Sequence, residues 1–377
     1  MRILIAPNAF KNSLEAADVA SAIKEGFEQS GLQCELECFP VGDGGDGTGK
    51  LLIDHFGGEI VDCIVQDPLG REINSSLGLI DKGKTAVIEM ANASGLRLLR
   101  ADELSPLHAS SFGTGQLIRC ALDKGASKTV LCIGGSATVD GGVGILQALG
   151  FQFLDKNGQR INAIPKDLVD LASIDAAAVD ERTKHCEFIV LCDVENYLLG
   201  EQGAASVFGP QKGADAEDVK RLEAALTRLR DVLVRQTGQD LATIKRGGAA
   251  GGVAAGLAGL LGSRLVSGID YFLSITNFDR ALANVDVVIT GEGSVDLQTL
   301  EGKAPYGVAQ KAKEKRIPVI ALAGKVPAEA DTSLNKYFSV MLSINNEPMD
   351  LSAALASTKE NLIRTAKLLG DLLSLKK

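Results

Sequence analysis

The chain has 377 residues, carries a formal net charge of −9, and contains 45% hydrophobic and 4% aromatic residues. Since a single core rarely grows beyond about 250–300 residues, we expect two domains. The acidic charge and the lack of a dense Lys/Arg run argue against nucleic acid as a partner. No apolar run is long enough for a signal peptide or a membrane-spanning helix, so we expect a cytoplasmic protein with no membrane partner. The scattered cysteines, several of them inside apolar runs, are expected to be reduced core residues.

The two ends of the chain both predict alternating strands and helices. At the amino terminus the pattern predicts a strand over 2–6, an amphipathic helix over 14–29 capped by Ser13, a strand over 34–41, and a helix ending at 57–58. At the carboxyl terminus it predicts strands over 285–290, 319–323 and 338–344, and helices over 304–315 and 351–375. Both ends therefore resemble parts of one doubly wound parallel sheet.

The middle of the chain predicts a second set of elements. These are strands over 85–90, 128–133 and 188–193, and helices over 112–123, 143–149 and 215–235. We therefore predict one discontinuous α/β domain formed by residues 1–66 and 285–377, with a second α/β domain inserted at 67–284. A ligand is expected in the cleft between the two domains.

A glycine-rich turn at 40–50, PVGDGGDGTGK, follows the second strand. It matches G-x-G-x-x-G from Gly42, a dinucleotide fingerprint, and most of a phosphate-binding loop that ends at Lys50. However, Asp43 and Asp46 would repel a pyrophosphate, and Leu51 lies where that loop needs Ser or Thr to bind Mg²⁺. The two aspartates either form a tight turn or point from the strand end toward Mg²⁺ or a substrate hydroxyl.

Lysines and glycine loops near predicted helix starts are candidates for anion binding. Lys11 follows the first strand, where it is either an exposed loop lysine or an anion ligand. The segment GGSATVDGG at 134–142 follows an apolar strand, and either caps a helix or lets backbone amides approach a ligand. The glycines at 247–257 lead into a small-residue helix, where they either pack closely or bind a phosphate, and Lys212 precedes an acidic helix start.

Carboxylates at the ends of buried strands form a third group. Asp193 ends an apolar strand, where it is either a general base or metal ligand, or a cap of the following turn. Glu292 and Asp296 lie in ITGEGSVDLQT at 289–299, and Lys303 precedes a helix that begins near a proline. No Ser/His/Asp or Cys/His arrangement indicates a hydrolase. Glycine loops, carboxylates and lysines are what phosphoryl transfer requires.

Eight of these motifs follow one another along the chain: IAPNAFKNSL, VGDGGDGT, FGTGQLI, GGSATVDGG, CDV, VFGPQKGA, ITGEGSVDLQT and GKAP. Their order resembles that of the bacterial two-domain glycerate kinases, over nearly the whole chain. The resemblance implies ATP-dependent phosphorylation of D-glycerate, giving 2-phosphoglycerate in most such enzymes, with ATP and Mg²⁺ as cofactors. It also implies a flavodoxin-like domain built from both chain ends, with an inserted second domain. Whether the protein forms an oligomer is left open.

Several positions depart from the residues usual in that family. Asn8, Ala9 and Asn12 replace Asp, Ser and Gly, while Asp46, Val139 and Ser294 replace Glu, Asn and Arg. These departures bear on substrate detail more than on reaction type, since the carboxylates and lysines are kept.

The roles that we expect divide between catalysis, substrate, nucleotide and metal. The catalytic residues are Asp193, as general base, Lys11 and Asp296. The substrate contacts Lys11, Asp43, Asp46, Ser294 and Lys303. The nucleotide contacts Gly134, Gly135, Ser136, Thr138, Lys212, Gly251, Gly252, Gly291 and Glu292. Mg²⁺ is held by Asp43, Asp46 and Asp193.

Other classes of protein are weighed against this hypothesis. The Gly42 fingerprint would suit an NAD-dependent dehydrogenase of a small hydroxy acid, although the acidic turn argues against it. A kinase of another small hydroxy acid and a non-catalytic sugar-acid sensor are the further alternatives.

Overall fold

The computed structural model describes residues 1–162, 164–328 and 332–375. Its strands, in chain order, are β1 (Arg2–Ile5), β2 (Glu35–Cys38), β3 (Glu59–Gln66), β4 (Glu72–Ile80), β5 (Thr85–Glu89), β6 (Lys128–Cys132), β7 (Gln152–Leu154), β8 (Ser173–Asp175), β9 (Glu187–Cys192), β10 (Arg264–Ser267), β11 (Val287–Ser294), β12 (Val319–Lys325) and β13 (Val340–Ser343).

Its α-helices are α1 (Ala16–Glu28), α2 (Thr48–Phe56), α3 (Ala91–Ser94), α4 (Phe112–Asp123), α5 (Val143–Ala148), α6 (Ala204–Phe208), α7 (Ala216–Thr237), α8 (Val253–Leu261), α9 (Gly268–Ile275), α10 (Phe278–Ala281), α11 (Ala304–Glu314), α12 (Leu351–Ala356) and α13 (Thr358–Ser374). Short 3₁₀ turns lie between several of them.

The first of two compact units comprises Met1–Asp43 and Ile269–Lys377. Its five-stranded sheet has the order β13-β12-β11-β1-β2, and every pair is parallel. Counted within the unit, this is the 2-1-3-4-5 order of flavodoxin-like folds, which confirms the predicted fold. Ile3 and Ile5 of β1, with Val287 and Ile289 of β11, are buried against α1 and α13. Ligands of such sheets bind at the carboxyl ends of the strands where the order reverses, which is between β1 and β11.

The second unit, Gly44–Gly268, contains a six-stranded sheet in the order β10-β9-β6-β5-β4-β3. The strands from β10 to β5 pair in parallel, whereas β4 is antiparallel to both β5 and β3. The carboxyl ends of β5, β6 and β9 therefore lie along one edge of the sheet. A small antiparallel pair, β7 with β8, lies outside this sheet.

The boundaries between the two units differ from the predicted ones, which follow residues 66 and 284. The structure divides the chain after Asp43 and after Gly268. The reason at the first junction is that β3 pairs along its whole length with β4, from Glu59↔Leu79 to Gln66↔Glu72. The β3–β4 hairpin escaped the sequence analysis because β3 is an edge strand whose polar and apolar residues do not alternate strictly.

Two predicted helices differ in detail from the observed ones. The first begins after Glu15 rather than Ser13, since the Ser13 hydroxyl donates to the carbonyl of Leu355 at 2.7 Å instead of capping α1. The predicted helix over 351–375 is divided at Ser357 into α12 and α13, although its apolar periodicity continues across the break.

The expectation that all cysteines are reduced core residues was wrong for several of them. Cys63 on β3 and Cys120 on α4 form a disulfide. Cys38 is exposed and Cys34 is partly exposed, whereas Cys132 and Cys192 are buried as predicted. Among the described residues, no helix is both long and apolar enough to cross a membrane.

Candidate functional site

Residues of the first unit converge where its strand order reverses. The amide of Asn8 donates to the carbonyl of Gly291 at 2.8 Å, which ties the end of β1 to β11. The Asn8 side chain donates from Nδ2 to Oδ2 of Asp43 at 2.9 Å, and its Oδ1 accepts from the amide of Ala9 at 2.8 Å. An aspartate at position 8 would instead place a second carboxylate against Asp43. With asparagine at this position, the two side chains are joined by a hydrogen bond instead.

Glu292 is the buried acid of this region, with 8% of its surface exposed. It lies on β11 beside Ala323 of β12, and its Oε1 accepts from the hydroxyl of Thr299 at 3.0 Å. Burial raises the pKa of Glu292 to about 7; Lys303, Thr299 and Lys11 oppose the rise, and Asp43 adds to it. A carboxyl group of this kind can hold or release a proton near neutral pH.

Asp296 has a structural role that its position in the sequence did not reveal. Its Oδ1 accepts from the amide of Gln298 at 2.9 Å, and Oδ2 accepts from the hydroxyl of Ser294 at 3.3 Å. The Asp296 amide donates in return to Thr299 Oγ1 at 3.1 Å, which completes a capping box at the 3₁₀ turn Leu297–Glu301. Both carboxylate oxygens are thus engaged, and the turn they support also places Thr299 against Glu292.

Two lysines belong to the same region. Lys303 precedes the first residue of α11, and Lys11 lies in the exposed loop between β1 and α1. The next residue, Asn12, has a φ of 63°, in the left-handed region that favours glycine. Asparagine tolerates this conformation better than most other residues, so it suits the loop that carries Lys11. We define the switch-point cluster as Asn8, Lys11, Asp43, Glu292, Thr299 and Lys303.

In the second unit the predicted glycine loop at 134–142 packs tightly on the 44–47 turn. A Cβ atom on Gly134 would lie 2.4 Å from Cα of Gly45, and the Gly134 amide donates to the carbonyl of Gly44 at 3.2 Å. Gly135 has a φ of 69°, and its carbonyl accepts from the amide of Leu96 at 2.9 Å. Only glycine allows this approach of two backbones, so Gly134 brings the loop against the turn that carries Asp46.

Asp140 holds the far end of the glycine loop. It is fully buried, and its carboxylate accepts from the Ser111 hydroxyl at 2.6 Å and from the amides of Ser111, Gly142 and Gly144 at 2.8, 3.0 and 3.2 Å. Burial raises the pKa of Asp140, although these four hydrogen bonds oppose the rise. One carboxylate thereby joins the loop to the starts of α4 and α5.

Lys212 lies beneath the glycine loop with 2% of its surface exposed. Its Nζ donates to Oγ of Ser136 at 2.9 Å and to the carbonyl of Thr138 at 2.7 Å. Burial lowers the pKa of Lys212 to about 7, while the charge of Asp140 opposes the decrease. Thr138 Oγ1 is buried without a hydrogen-bond partner within the described part of the chain. The loop therefore contains a buried lysine whose charged form an anion would stabilise and, among the described residues, a hydroxyl without a partner.

Gly251 and Gly252 contact the same loop from the start of α8. A Cβ atom on Gly251 would lie 2.1 Å from the carbonyl oxygen of Thr138, and one on Gly252 would lie 2.6 Å from Leu198. Both have positive φ, at 67° and 89°. In this structure they serve close packing, and contact with a nucleotide stays a prediction for both.

Two polar residues near the 44–47 turn were missed by the sequence analysis. Glu89, which ends β5, is buried and accepts from the amide of Gly49 at 2.7 Å and of Lys50 at 3.3 Å. Burial raises the pKa of Glu89, and the charge of Asp46 adds to the rise. Arg97 pairs with Asp46 at 3.0 Å and also donates to Asn92. The strand-end rule that selected Asp193 would have selected Glu89, but no signal marked Arg97.

Asp193 follows β9 and is partly buried. Burial raises the pKa of the neighbouring Cys192 thiol to about 12, and the charge of Asp193 adds to it. The carbonyl of Leu191, two residues earlier, would lie 3.0 Å from a Cβ on Gly44. Asp193 and the 44–47 turn thus share the carboxyl edge of the second sheet. Over residues 1–162, 164–328 and 332–375, no group of three or more His, Cys, Asp and Glu side chains forms a metal site.

The structure distributes the predicted site residues between the two units. The first unit contains Lys11, Asp43, Gly291, Glu292, Ser294, Asp296 and Lys303, and the second contains Asp46, Gly134, Gly135, Ser136, Thr138, Asp193, Lys212, Gly251 and Gly252.

Parallel sheets with lysines, carboxylates and glycine loops at their carboxyl ends define an α/β enzyme suited to anionic substrates. The family model described as "Glycerate kinase family" matches residues 3–374. The chain is 42% identical over 376 residues to a glycerate kinase of Haemophilus influenzae, with 100% of each chain covered. It is 40% identical to a glycerate 2-kinase of Escherichia coli K12, covering 97% of this chain and 96% of that one.

A solved structure supports the same assignment. The crystal structure of a candidate glycerate kinase 2 from Salmonella typhimurium LT2 matches with a TM-score of 0.84 at 40% identity, covering 100% of this chain and 98% of that one. The chain belongs to the glycerate kinase family and is a kinase, which excludes the dehydrogenase alternative.

Proposed function

We propose that this protein transfers the terminal phosphoryl group of ATP to D-glycerate, at the 2-hydroxyl, and so forms 2-phosphoglycerate. The observation that carries the proposal is the switch-point cluster, where the charges of Lys11 and Lys303 favour the ionised form of the buried Glu292. A small hydroxy acid needs a cation for its carboxylate and a group that takes the hydroxyl proton, and this cluster contains both kinds of group. The relative of Escherichia coli named glycerate 2-kinase favours the 2-hydroxyl.

We assign the substrate carboxylate to Lys11, with Lys303 as a second cation. Lys11 is exposed, so a carboxylate can reach it without displacing a protein partner from a buried site. Asp43 accepts from Asn8, and we assign the substrate hydroxyl to this carboxylate as well. Ser294 lies where the family often has Arg, and its hydroxyl donates to Asp296. The substrate carboxylate would therefore depend more on the two lysines than it does in relatives with that arginine.

We assign the phosphates of ATP to the glycine loop at 134–142. Small residues, the buried Lys212 and the Thr138 hydroxyl, which has no partner among the described residues, favour an anion at this loop. Gly291, on the strand that carries Glu292, stays in the set expected to contact the nucleotide.

We assign Mg²⁺ to one or two carboxylates of the set Asp43, Asp46 and Asp193, since no three such side chains cluster among the described residues. Carboxylate oxygens are the protein ligands that this ion prefers, and it commonly uses only one or two of them together with phosphates of the nucleotide. When bound, Mg²⁺ neutralises charge on the phosphates. The expected interdomain cleft and the cytoplasmic location both stay predictions.

The proposal is tested by coupled ADP release with ATP and Mg²⁺ across D-glycerate, L-glycerate, lactate and tartrate. We expect the largest kcat/KM with D-glycerate, and ³¹P NMR of the product should show a phosphate ester on the 2-carbon. A larger kcat/KM with another hydroxy acid would mean that glycerate is not the preferred substrate. An ester on the 3-carbon would contradict the assignment of the 2-hydroxyl as the attacking group.

The assignment of the substrate carboxylate to Lys11 can be tested by substitution. Replacing Lys11 with Met should raise KM for D-glycerate by about 10-fold or more, since a charge-assisted hydrogen bond would be lost. Lys336→Met is a matched control, because Lys336 is an exposed lysine of the same unit outside the cluster. An unchanged KM in the Lys11 variant would contradict the assignment.

A further inference from the structure

Glu292 differs from the other carboxylates of the switch-point region in what surrounds it. Asp296 has both oxygens engaged in a cap, and Asp43 accepts from Asn8. Glu292 is buried on a central strand and accepts from Thr299 through Oε1. Its backbone is paired in register with β12, so the carboxyl group is carried by a rigid element rather than by a loop.

The charges that face Glu292 come from three segments of the first unit. Lys303 acts from the start of α11, Lys11 acts from the loop after β1, and Asp43 acts from the segment after β2. The two lysines favour the ionised carboxylate, while burial and Asp43 favour the protonated acid. The result is a carboxyl group whose two states are nearly balanced at neutral pH, which is the condition for an efficient general base.

We propose that Glu292, rather than Asp193, accepts the proton of the attacking hydroxyl group. This inference rests on the proposed function and names the catalytic base of that reaction. The hydroxyl oxygen forms a bond to the γ-phosphorus, and the bond from that phosphorus to the β,γ-bridging oxygen breaks. The electron pair leaves with ADP, and the hydroxyl proton moves to the Glu292 carboxylate. Asp193 then keeps the other role expected of it, as a ligand of the metal.

Thr299 is the positioning residue for this base. Its hydroxyl donates to Glu292 Oε1 and accepts from the amide of Asp296, so it joins the base to the capping box. The bond to Glu292 favours the charged carboxylate. Loss of the Thr299 hydroxyl should therefore raise the pKa of the base.

The first test compares Glu292→Gln with Asp193→Asn in the ADP-release assay. Glutamine can still accept from Thr299 but cannot take a proton, so kcat should fall by about 10²–10⁴-fold while KM for ATP changes by less than about 3-fold. Glu292→Asp keeps an acid and should retain more activity than Glu292→Gln. A loss of less than about 10-fold in Glu292→Gln would overturn the assignment, as would Glu292→Asp being no more active than Glu292→Gln.

The second test is the pH dependence of kcat/KM for D-glycerate, which a merely structural role would not move. The wild type should lose activity below about pH 7, where Glu292 becomes protonated. Thr299→Val should move this acidic limb to higher pH, and Thr299→Ser should move it less. Glu301→Gln, an exposed residue in the same turn, should leave the limb in place. A limb that stays unmoved in Thr299→Val would overturn the role of Glu292.

ADP release by the wild-type protein distinguishes a failure of this inference from a failure of the proposed function. If the wild type releases ADP with D-glycerate and Glu292→Gln does so nearly as fast, the assigned base is wrong and the kinase assignment stands. Should the wild type release ADP only with another hydroxy acid, the proposed substrate is wrong, and the same variants measured with that acid decide the role of Glu292.

Discussion

Two buried ionisable residues have pKa values displaced toward neutrality from opposite directions. Burial lowers the pKa of Lys212 and raises the pKa of Glu292, each to about 7. The common cause is that a low-dielectric environment favours the neutral form of either group. Such groups cluster at functional sites because binding or catalysis uses a charge that folding alone does not favour.

The lowered pKa of Lys212 predicts how stability depends on pH. Because the unfolded lysine titrates near 10.5 and the folded one near 7, the unfolded chain binds more protons between those values. The free energy of unfolding of the wild type should therefore rise relative to that of Lys212→Met as the pH increases from about 7 to about 10, by on the order of 3 kcal/mol.

Urea unfolding at both ends of that pH range measures the difference. Lys220→Met is the matched control, since Lys220 is an exposed lysine on α7 and should follow the wild type at both pH values. If the difference between the wild type and Lys212→Met does not change with pH, Lys212 is not titrating as described.

At the scale of elements, one carboxylate joins a loop to two helices. Asp140 accepts from groups at the start of α4 and at the start of α5, so it is a buried hub of the glycine loop. Asp140→Asn would turn one accepting oxygen into a donating NH₂ group that faces other donors. We expect a loss of about 2–4 kcal/mol in the free energy of unfolding, measured by denaturant titration.

The exposed Asp62 on β3 provides the control for that substitution. Asp62→Asn changes the same charge at the surface and should alter stability by less than about 0.5 kcal/mol. Equal effects of the two substitutions would mean that the hydrogen bonds of Asp140 contribute little.

The approach of the glycine loop to the 44–47 turn predicts a second effect at this scale. Gly134→Ala would place a methyl group 2.4 Å from the Gly45 backbone, which cannot rotate away. We expect a loss of about 1–3 kcal/mol and a raised KM for ATP, because the loop must move away from the turn. Gly31→Ala is the control, since the nearest atom to its added Cβ lies 3.8 Å away. A Gly134 variant with wild-type KM and stability would contradict the described packing.

At the scale of the whole molecule, one unit is continuous in the chain and the other is not. The six strands of the second sheet all lie within Gly44–Gly268. In contrast, residues 1–43 contain β1, α1 and β2, whose partners β11 and α13 come from the other end of the chain. The second unit therefore contains its own core, whereas the amino-terminal segment does not.

This difference predicts the behaviour of fragments. Residues 44–268 expressed alone should unfold cooperatively on heating, as followed by far-ultraviolet circular dichroism, and should give dispersed amide NMR signals. A fragment of residues 1–43 should be unfolded under the same conditions. A 44–268 fragment that melts without cooperativity would show that its core depends on the rest of the chain.

Much of the fold could be predicted from local patterns. The strands β1, β5, β6 and β9 were located because buried parallel strands are short apolar runs, and α4 was located with its observed bounds. The β3–β4 hairpin was missed, and its pairing changes where the first unit ends. Pairing between strands depends on partners that no local window contains.

The candidate site could be predicted as a set of residues but not as a set of roles. Asp193, Glu292 and Asp296 look alike in the sequence, since each follows an apolar strand. In the structure Asp296 caps a 3₁₀ turn and accepts from Ser294. Glu292 is instead a buried acid that accepts from Thr299. Glu89 satisfies the strand-end rule but was not selected, whereas Arg97 was overlooked because its ion-pair partner Asp46 is distant in the chain.

Local patterns are enough to predict the α/β class, the glycine loops and the carboxylates at strand ends, since periodic burial and turn formation depend on neighbouring residues. Which of those carboxylates is buried, capped or exposed depends on contacts that form only in the folded chain. The pKa of Glu292 depends on Lys11 and Asp43, which lie at the other end of the chain and reach it only through the order of strands in the sheet. Charge and burial are properties of a three-dimensional neighbourhood, and the chain order does not contain them.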